Sequence, residues 1–482
     1  MNKKTIILLI IITFVLKMGL AVYFTHLADC QSTEKKLSYF ASSVDSFSII
    51  DPMENLMKEG EYYFNNGVRK VYAGRMPYYA IPYLFLRQFF SQSIASDLFI
   101  IYQIFADSLA TVFFGLLCFN ILQRKFTFWV GWLVYLLNFN LFALNLAFSP
   151  ETLSLTYLIF LLYFYHLYWV QPKLKYAIIS SLFLALLTTL KPYFVIVYVL
   201  FLLALLVKEK DSHLPKFKYF LRQSLIAGLP LLILLSPWII RNAFVFGRFV
   251  PTQENTYAGY NYSEADFAVR KFVGAWGGDF VYWDPKAAGC YFQLNPPVPC
   301  TFTIPDYVIV DGYTTEEVEK VRQDYFQLQR QFTPELNQSI TNELNRLTDI
   351  YRSQNPFMYY IGSRYLTTKS MLWTTNNYML PIHPSYKCYQ SYQLLFKITQ
   401  FSIYVLGMTF GFLGIIKLSI ERKISLVFIS IPLFLLCFFA FFKLTEVRFF
   451  NHGYIIFLLG FVGFLCWVIE KIRPSKNQES LK

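Results

Sequence analysis

Ionisable residues at the ends of apolar runs are the positions of this sequence best suited to chemistry. Arg241 closes an apolar run from residue 226 to residue 240 and precedes the longest polar region of the chain. An arginine there can extend to lipid headgroups, as most arginines at span ends do, or form part of an anion site at the membrane surface. Comparable positions hold further carboxylates and cations: Asp45, Asp51, Glu151, Glu446, Arg75, Lys191, Arg248 and Arg448.

Carboxylates and cations that converge at a membrane surface suit the transfer of a group from an anionic donor. A carboxylate can act as general base on an acceptor hydroxyl, with a pKa set by burial and by neighbouring charges. Cations can neutralise a phosphate that gathers negative charge as it leaves. The residue types therefore permit a transferase with a lipid-phosphate donor, but they do not identify the sugar or other group transferred.

The composition indicates where such a site would lie. The 482 residues are 55% hydrophobic and 15% charged, with a mean hydropathy of +0.40. Soluble domains average ~45–50% apolar and ~25% charged residues, so this chain is predicted to be a polytopic membrane protein. Its formal net charge of +13 comes from lysines and arginines in short clusters between apolar runs, which indicates membrane topology and excludes nucleic-acid binding.

Ten apolar runs come close to the ~20 residues that a bilayer core requires. We predict an all-α polytopic membrane protein of ten transmembrane helices, the first of them a retained anchor rather than a cleaved signal peptide. The runs are 5–24, 98–121, 127–147, 152–170, 174–190, 192–207, 223–240, 398–416, 424–442 and 449–469.

The number of crossings between residues 174 and 207 decides the topology. One long tilted helix is the alternative to two spans here, because only Lys191-Pro192 interrupts the apolar residues. A single crossing would place the basic cluster at 208–222 outside, whereas two crossings place five basic clusters in the cytoplasm, as the positive-inside rule requires. Two crossings also put all the candidate residues on the outer face.

Four parts of the chain follow from this topology. They are a membrane domain at 1–242 with seven spans, an extracytoplasmic segment at 243–393, the last spans at 394–473 and a cytoplasmic tail at 474–482. The first outer loop, residues 25–97, is expected to contain short interfacial helices.

Within the extracytoplasmic segment, residues 314–353 predict one or two soluble-type helices with a restart at Thr333-Pro334. Residues 355–365 resemble an amphipathic helix at the membrane interface. A Cys290–Cys300 disulfide is expected if this segment faces an oxidising compartment, and otherwise the two thiols stay free.

Short motifs spread over most of the chain, to about residue 470, carry a resemblance to a known family. Asp45 is followed by Asn55-Leu56, Gly60-Glu61-Tyr62 and Arg75-Met76-Pro77-Tyr78, and later stretches include Ser149-Pro150-Glu151, Leu190-Lys191-Pro192, Pro237 to Asn242, Phe246 to Pro251 and Glu446-Val447-Arg448-Phe449. These motifs resemble the glycosyltransferase C superfamily, within it the bacterial family similar to protein O-mannosyltransferases and to the aminoarabinose transferase of lipid A.

The resemblance implies roles for the candidate residues. Asp45 would be the catalytic base, with Asp51 as the alternative, and Glu151 would orient the acceptor or assist the base. Contacts to the lipid phosphate would come from the cations Lys191, Arg241 and Arg448, with Arg75 and Arg248 as further candidates. Lys191 departs from the arginine of the family, which keeps the charge but loses bidentate geometry.

Structural roles are the competing interpretation of the same residues. Asp45 could cap a helix, Glu151 could cap the span that it begins, and the cations could extend to headgroups or pair with acids, as Arg448 could with Glu446.

Together with the predicted topology, this resemblance implies an integral membrane glycosyltransferase in a bacterial inner (plasma) membrane. It would move a sugar from a polyprenyl-phosphate carrier to a lipid, glycan or protein acceptor on the outer face, in contact with membrane lipids. No cofactor is required, although Asp45 and Glu151 could hold a divalent metal. The alternatives are a lipid-linked glycan transporter or flippase, whose ionisable groups usually lie near mid-membrane, and a surface-polysaccharide ligase with the same donor chemistry.

Overall fold

The computed structural model describes the chain in eight stretches. They are residues 2–28, 44–65, 70–208, 216–253, 263–281, 284–296, 299–373 and 391–472, and the side chains of residues 27, 28, 44, 45, 208 and 216 are outside the description. The predicted tail at 474–482 also lies outside the described residues.

Two compact units make up the chain. The first contains residues 1–259, 376–433 and 451–482, and the second contains residues 260–375 and 434–450. Residues 434–450 thus group with residues 260–375, whereas the sequence analysis counted them among the last spans.

Long apolar helices dominate the first unit. Within the described stretches, six helices are long and apolar enough to cross a membrane: α1 (Lys3–Ala28), α4 (Gln92–Leu122), α7 (Glu151–Val170), α10 (Lys216–Phe246), α16 (Ser391–Ile420) and α18 (Val447–Ile472). The helix α5 (Lys125–Leu136) is followed, after a bend of 50°, by the helical stretch Phe139–Leu146. If the two cross the membrane together, they form a seventh span. The chain is thus a mostly helical membrane protein.

Three shorter apolar helices occupy the remaining predicted runs. They are α8 (Leu174–Leu190), α9 (Val195–Lys208) and α17 (Leu426–Phe442). A break at Lys191, where φ is −135° and ψ is 87°, separates α8 from a 3-10 turn at Pro192–Phe194 that leads into α9. The chain therefore does not form one continuous helix here, while the total of ten spans remains a prediction.

The first outer loop folds into short elements. These are α2 (Val44–Glu59), strands β1 (Phe64–Asn65) and β2 (Lys70–Val71), a 3-10 turn at Pro77–Tyr79 and α3 (Ile81–Arg87). The antiparallel β1–β2 pair, with Phe64 opposite Val71, was not predicted from the sequence. The short helices were predicted, and their place in the membrane interface stays a prediction.

Glycines bring α16 and α18 into close contact within the first unit. A Cβ atom at Gly414 would overlap the carbonyl oxygen of Gly460, and one at Gly411 would overlap the carbonyl oxygen of Phe457. Small residues at such spacing let the backbones of two membrane helices approach closely. The backbone contact therefore fixes which faces of α16 and α18 meet.

Amphipathic helices around one apolar core form most of the second unit. They are α11 (Glu264–Ala275), the short α12 (Ala288–Tyr291), α13 (Thr315–Arg330), α14 (Pro334–Gln354), a π-helical turn at Met358–Gly362 and α15 (Ser363–Trp373). Thr314 caps α13 with Glu317 as its reciprocal partner, and Thr333 caps α14. The predicted restart at Thr333-Pro334 is therefore confirmed.

Cys290 and Cys300 are joined in a disulfide, with Cα atoms 5.7 Å apart.

Candidate functional site

A cavity of ≈ 60 Å³ in the first unit is lined by residues from distant parts of the sequence. The first outer loop contributes Tyr62, Arg75 and Tyr79, the turn before α7 contributes Pro150, and the break after α8 contributes Leu190 and Pro192. Three of the predicted motifs therefore reach one cavity wall, even though Pro150 and Leu190 are far from Arg75 in the sequence.

Glu151 and Lys191 form a buried ion pair next to this cavity. The Lys191 Nζ atom lies 2.6 Å from Glu151 Oε1, and the two side chains are only 10% and 3% exposed. Ser149 Oγ donates to the other carboxylate oxygen of Glu151. Because Glu151 is the first residue of α7, the positive end of the helix dipole also favours its charge. The two predicted residues therefore neutralise each other.

Arg75 is the predicted cation among the residues that line the cavity. Its Nε atom donates to Ser48 Oγ at 2.7 Å, which ties the cavity wall to α2. The Tyr62 hydroxyl donates to the Arg75 carbonyl oxygen at 3.0 Å. Arg75 is thus placed by two contacts inside the first outer loop.

The Tyr79 side chain forms a buried part of the same wall. Burial is the main cause that raises the pKa of Tyr79 well above its usual range, and the nearby Glu151 carboxylate raises it further. The hydroxyl is therefore neutral and donates to Gln103 Oε1 at 2.7 Å.

Arg241 binds the backbone of the first outer loop and does not line the cavity. Its guanidinium donates to the carbonyl oxygens of Tyr62 and Tyr72, each at 2.6 Å, and to Asn242 Oδ1 at 2.8 Å. The ring of Trp238 lies 4.9 Å from its Cζ atom. Tyr62 itself lines the cavity, so Arg241 binds the backbone of a residue in the cavity wall.

The two candidate bases lie in α2. The side chain of Asp45, at the second position of this helix, is outside the described residues. Asp51 is half-buried, and burial together with the charge of Glu54 raises the pKa of its carboxyl group. A raised pKa brings a carboxylate closer to the range in which it can accept a proton during catalysis.

Glu54 is an acid that sequence reasoning did not single out. It accepts hydrogen bonds from the Tyr83 hydroxyl and from Arg87 Nε, each at 2.6 Å. Burial opposes its ionisation, but the hydrogen bonds from Arg87 and Tyr83 outweigh that effect and lower the pKa of Glu54. Glu54 therefore stays charged and joins α2 to α3.

The remaining candidates are not part of the cavity wall. Arg248 is exposed in the turn after α10, next to Gly247, whose φ of +62° favours glycine. Arg448 belongs to the second unit and pairs with Glu446, with Nε 2.6 Å from Oε2. The ion pair that the sequence offered as the structural role of Arg448 is therefore present.

A buried ion pair inside the helical bundle is the largest feature missed by sequence reasoning. Lys17 of α1 binds Asp107 of α4, and their side chains are 2% and 6% exposed. Lys17 also donates to Thr111 Oγ1 at 2.8 Å, while Tyr135 at 3.1 Å and Asn145 at 2.6 Å donate to Asp107. The signal was available, because each charge stands alone in a predicted apolar run.

Hydrogen bonds connect this ion pair to the cavity wall. The Asn145 side chain, bound to Asp107, also accepts from Thr152 Oγ1 at 3.1 Å, directly after Glu151 in the chain. The backbone oxygen of Asn145 accepts from Gln103 at 3.3 Å, and Gln103 accepts from Tyr79. The turn that carries Glu151 is therefore held from inside the bundle.

A second buried contact lies one turn along α7. Ser154 Oγ lies 2.8 Å from His452 Nε2 of α18 and donates to the Glu151 carbonyl oxygen at 2.8 Å. The His452 ring packs on Phe194, with centroids 5.1 Å apart. These contacts tie α18 to the helices that present Glu151 and Lys191.

Among the described residues, no group of three or more histidines, cysteines, aspartates and glutamates is arranged to hold a metal ion.

Comparisons with protein families, with curated proteins and with solved structures find no match for this chain. The link to the glycosyltransferase C superfamily therefore rests on the short motifs of the sequence alone.

Proposed function

We propose that this chain is an integral membrane glycosyltransferase that takes a sugar from a polyprenyl-phosphate carrier. The observation that supports it best is the cavity lined by Arg75, beside the buried Glu151–Lys191 pair. Cations and carboxylates from three distant motifs lie in or next to one wall, as transfer from an anionic donor needs.

The cavity suits the phosphate end of the donor. Its volume of ≈ 60 Å³ is far below the ~300–1,000 Å³ of typical small-molecule pockets. We assign the phosphate to Arg75, whose guanidinium can donate two parallel hydrogen bonds to phosphate oxygens. Lys191 is neutralised by its ion pair with Glu151, so on this proposal the pair helps to shape the site and Arg75 supplies the positive charge.

The reaction needs one base. A carboxylate of α2 takes the proton of the acceptor hydroxyl, and the acceptor oxygen forms a bond to the anomeric carbon of the sugar. The bond from that carbon to the phosphate oxygen breaks, the configuration inverts, and the lipid phosphate leaves with one more negative charge. Asp45 and Asp51 are the candidates, and the raised pKa of Asp51 suits the role.

Two observations support an active site on the outer face. The basic clusters between the apolar runs satisfy the positive-inside rule when the first outer loop and residues 243–393 are outside. The second unit also contains the Cys290–Cys300 disulfide, and disulfides persist in oxidising compartments such as the periplasm.

The test uses membranes that contain the protein and a radiolabelled polyprenyl-phosphate sugar. Wild type should lose label from the lipid to an acceptor, whereas Arg75→Gln should need much more donor for the same rate, because the variant lacks a phosphate ligand. Arg330→Gln, which removes an exposed arginine of α13, is the matched control and should behave as wild type.

The carboxylate variants separate the two candidate bases. Asp45→Asn or Asp51→Asn should abolish turnover while donor binding persists, and the variant that does so identifies the base. If both variants and Arg75→Gln transfer label as wild type does, the proposed chemistry is wrong.

The Lys17–Asp107 pair favours a second candidate function, a flippase for a lipid-linked glycan. Ionisable pairs within a bundle often mark a substrate or proton pathway. Here, however, four hydrogen bonds besides the ion pair engage the two side chains, which suits a structural role. Transbilayer movement of a fluorescent lipid-linked glycan in proteoliposomes, lost in Asp107→Asn but not in Arg75→Gln, would favour the flippase.

A further inference from the structure

Two cations of the second unit meet at one backbone carbonyl group. Lys443, in the turn after α17, donates from Nζ to the Tyr359 carbonyl oxygen at 3.3 Å and to the Gly274 carbonyl oxygen at 2.7 Å. Arg364 of α15 donates from Nη1 to the same Tyr359 oxygen at 3.4 Å and to the Tyr360 oxygen at 2.7 Å. The ammonium and guanidinium groups therefore lie side by side.

No described carboxylate compensates this pair of charges. Burial, and secondly the charge of Arg364, lower the pKa of Lys443 to about 8. The acids nearest in sequence to Lys443 and in the adjoining turns are engaged elsewhere: Glu446 pairs with Arg448, and Asp279 accepts from Thr445 Oγ1 at 2.6 Å. An anion placed between the two cations would relieve their repulsion.

The surroundings of the two cations are apolar and exposed. Phe441 and Phe442, in the last turn of α17, are 65% and 56% exposed, and the guanidinium of Arg364 lies 5.9 Å from the Phe441 ring. On the adjoining helical turn, Ile361 is 57% exposed. Because Phe441 and Phe442 end an apolar helix of a membrane protein, their exposed rings are suited to contact with lipid acyl chains.

We propose that Arg364 and Lys443 bind the phosphate group of a membrane lipid, whose acyl chains lie along Phe441, Phe442 and Ile361. Arg364 can present two donors to phosphate oxygens, while Lys443 adds a compact positive charge. The anion chemistry alone also fits free phosphate, but the apolar surface beside the cations favours a lipid. This site is independent of the proposed transferase activity, since it uses none of the residues assigned there.

The test is native mass spectrometry of the full-length protein, delipidated in detergent, with three probes. Phosphatidylglycerol should bind, while diacylglycerol with the same acyl chains should not, because it lacks the phosphate. Arg364→Gln should weaken phosphatidylglycerol binding roughly tenfold, the equivalent of one charge-assisted hydrogen bond. Arg364→Lys, which keeps the charge but loses the second donor, should lie between that variant and wild type.

Controls make the result decisive. Arg330→Gln removes an exposed arginine of the same unit and should leave the affinity unchanged. The thermal midpoint of each variant shows whether it is folded, and Arg364→Gln should match wild type because its guanidinium contacts are at the surface. The site is refuted if Arg364→Gln binds phosphatidylglycerol as wild type does. If inorganic phosphate displaces the lipid at equal concentration, the lipid assignment is wrong.

Discussion

The buried Lys17–Asp107 pair makes the sharpest prediction about the stability of this protein. Asp107→Asn removes the anion but leaves the Lys17 ammonium, whose side chain is 2% exposed, without a counter-charge. Both carboxylate oxygens of Asp107 accept hydrogen bonds. The substitution replaces one of these oxygens with an amide NH₂ group, which can only donate. Lys17→Met leaves the complementary defect, a buried carboxylate that keeps Tyr135 and Asn145 as donors.

The magnitude follows from this geometry. Removal of one partner of a buried ion pair costs about 3–5 kcal/mol, because the remaining charge is left uncompensated. Lys17→Met should lie at the lower end, because two hydrogen bonds to Asp107 remain. The double variant Lys17→Met/Asp107→Asn has no uncompensated charge and should lose less stability than either single variant, so the coupling energy should exceed about 3 kcal/mol, the cost of the milder single variant.

Unfolding by SDS in mixed micelles, followed by the circular dichroism of the helices, measures these free energies. Asp324→Asn is the matched control, because Asp324 lies half-exposed on α13, and it should change the unfolding free energy by less than ~0.5 kcal/mol. The reasoning fails if Asp107→Asn costs no more than the control. It also fails if the double variant is as unstable as the sum of the single variants, since the two charges would then be uncoupled.

Three further outcomes are expected. Gly414→Ala should destabilise the protein, because its methyl group would overlap the Gly460 carbonyl oxygen, whereas Gly228→Ala meets open space and should be neutral or slightly stabilising in the same SDS titration. The pKa of Lys443 is lowered to about 8, so Lys443 loses its proton at lower pH than an ordinary lysine. Its acylation, mapped by mass spectrometry, should therefore rise with pH around a midpoint of about 8. A midpoint above pH 10 would contradict this. Arg241→Gln should release the two loop carbonyl groups that Arg241 binds and so speed proteolysis of the first outer loop, and unchanged cleavage would show that other contacts hold the loop.

Patterns that are local in sequence predicted local structure well. Long apolar runs gave helices, because burial in lipid requires every backbone group to bond within its own helix. The threonine caps before α13 and α14 were readable because a cap acts over only three or four residues. The β1–β2 pair escaped prediction, since strands of two residues leave no alternating pattern.

Contacts between distant residues were predicted less completely. Topology placed Glu151 and Lys191 on one face, but their direct pairing depends on how α7 packs against α8. The role of Arg241 could not be anticipated, because its acceptors are backbone carbonyl groups, and every residue carries one of those. Lys17 and Asp107 are recognisable in the sequence as single charges within predicted spans, but the predicted site consisted of charges at the ends of spans.

The contacts of Arg241 determine how the cavity could enlarge. Because this guanidinium binds the carbonyl groups of Tyr62 and Tyr72, the residues on either side of the β1–β2 pair are held to α10. The cavity is also lined by Pro150 and Pro192, which lack amide hydrogens and so give up fewer backbone bonds when neighbouring helices tilt. Any enlargement of the cavity would therefore have to move α7 and α8 rather than Tyr62, and the Glu151–Lys191 ion pair would keep the ends of these two helices joined.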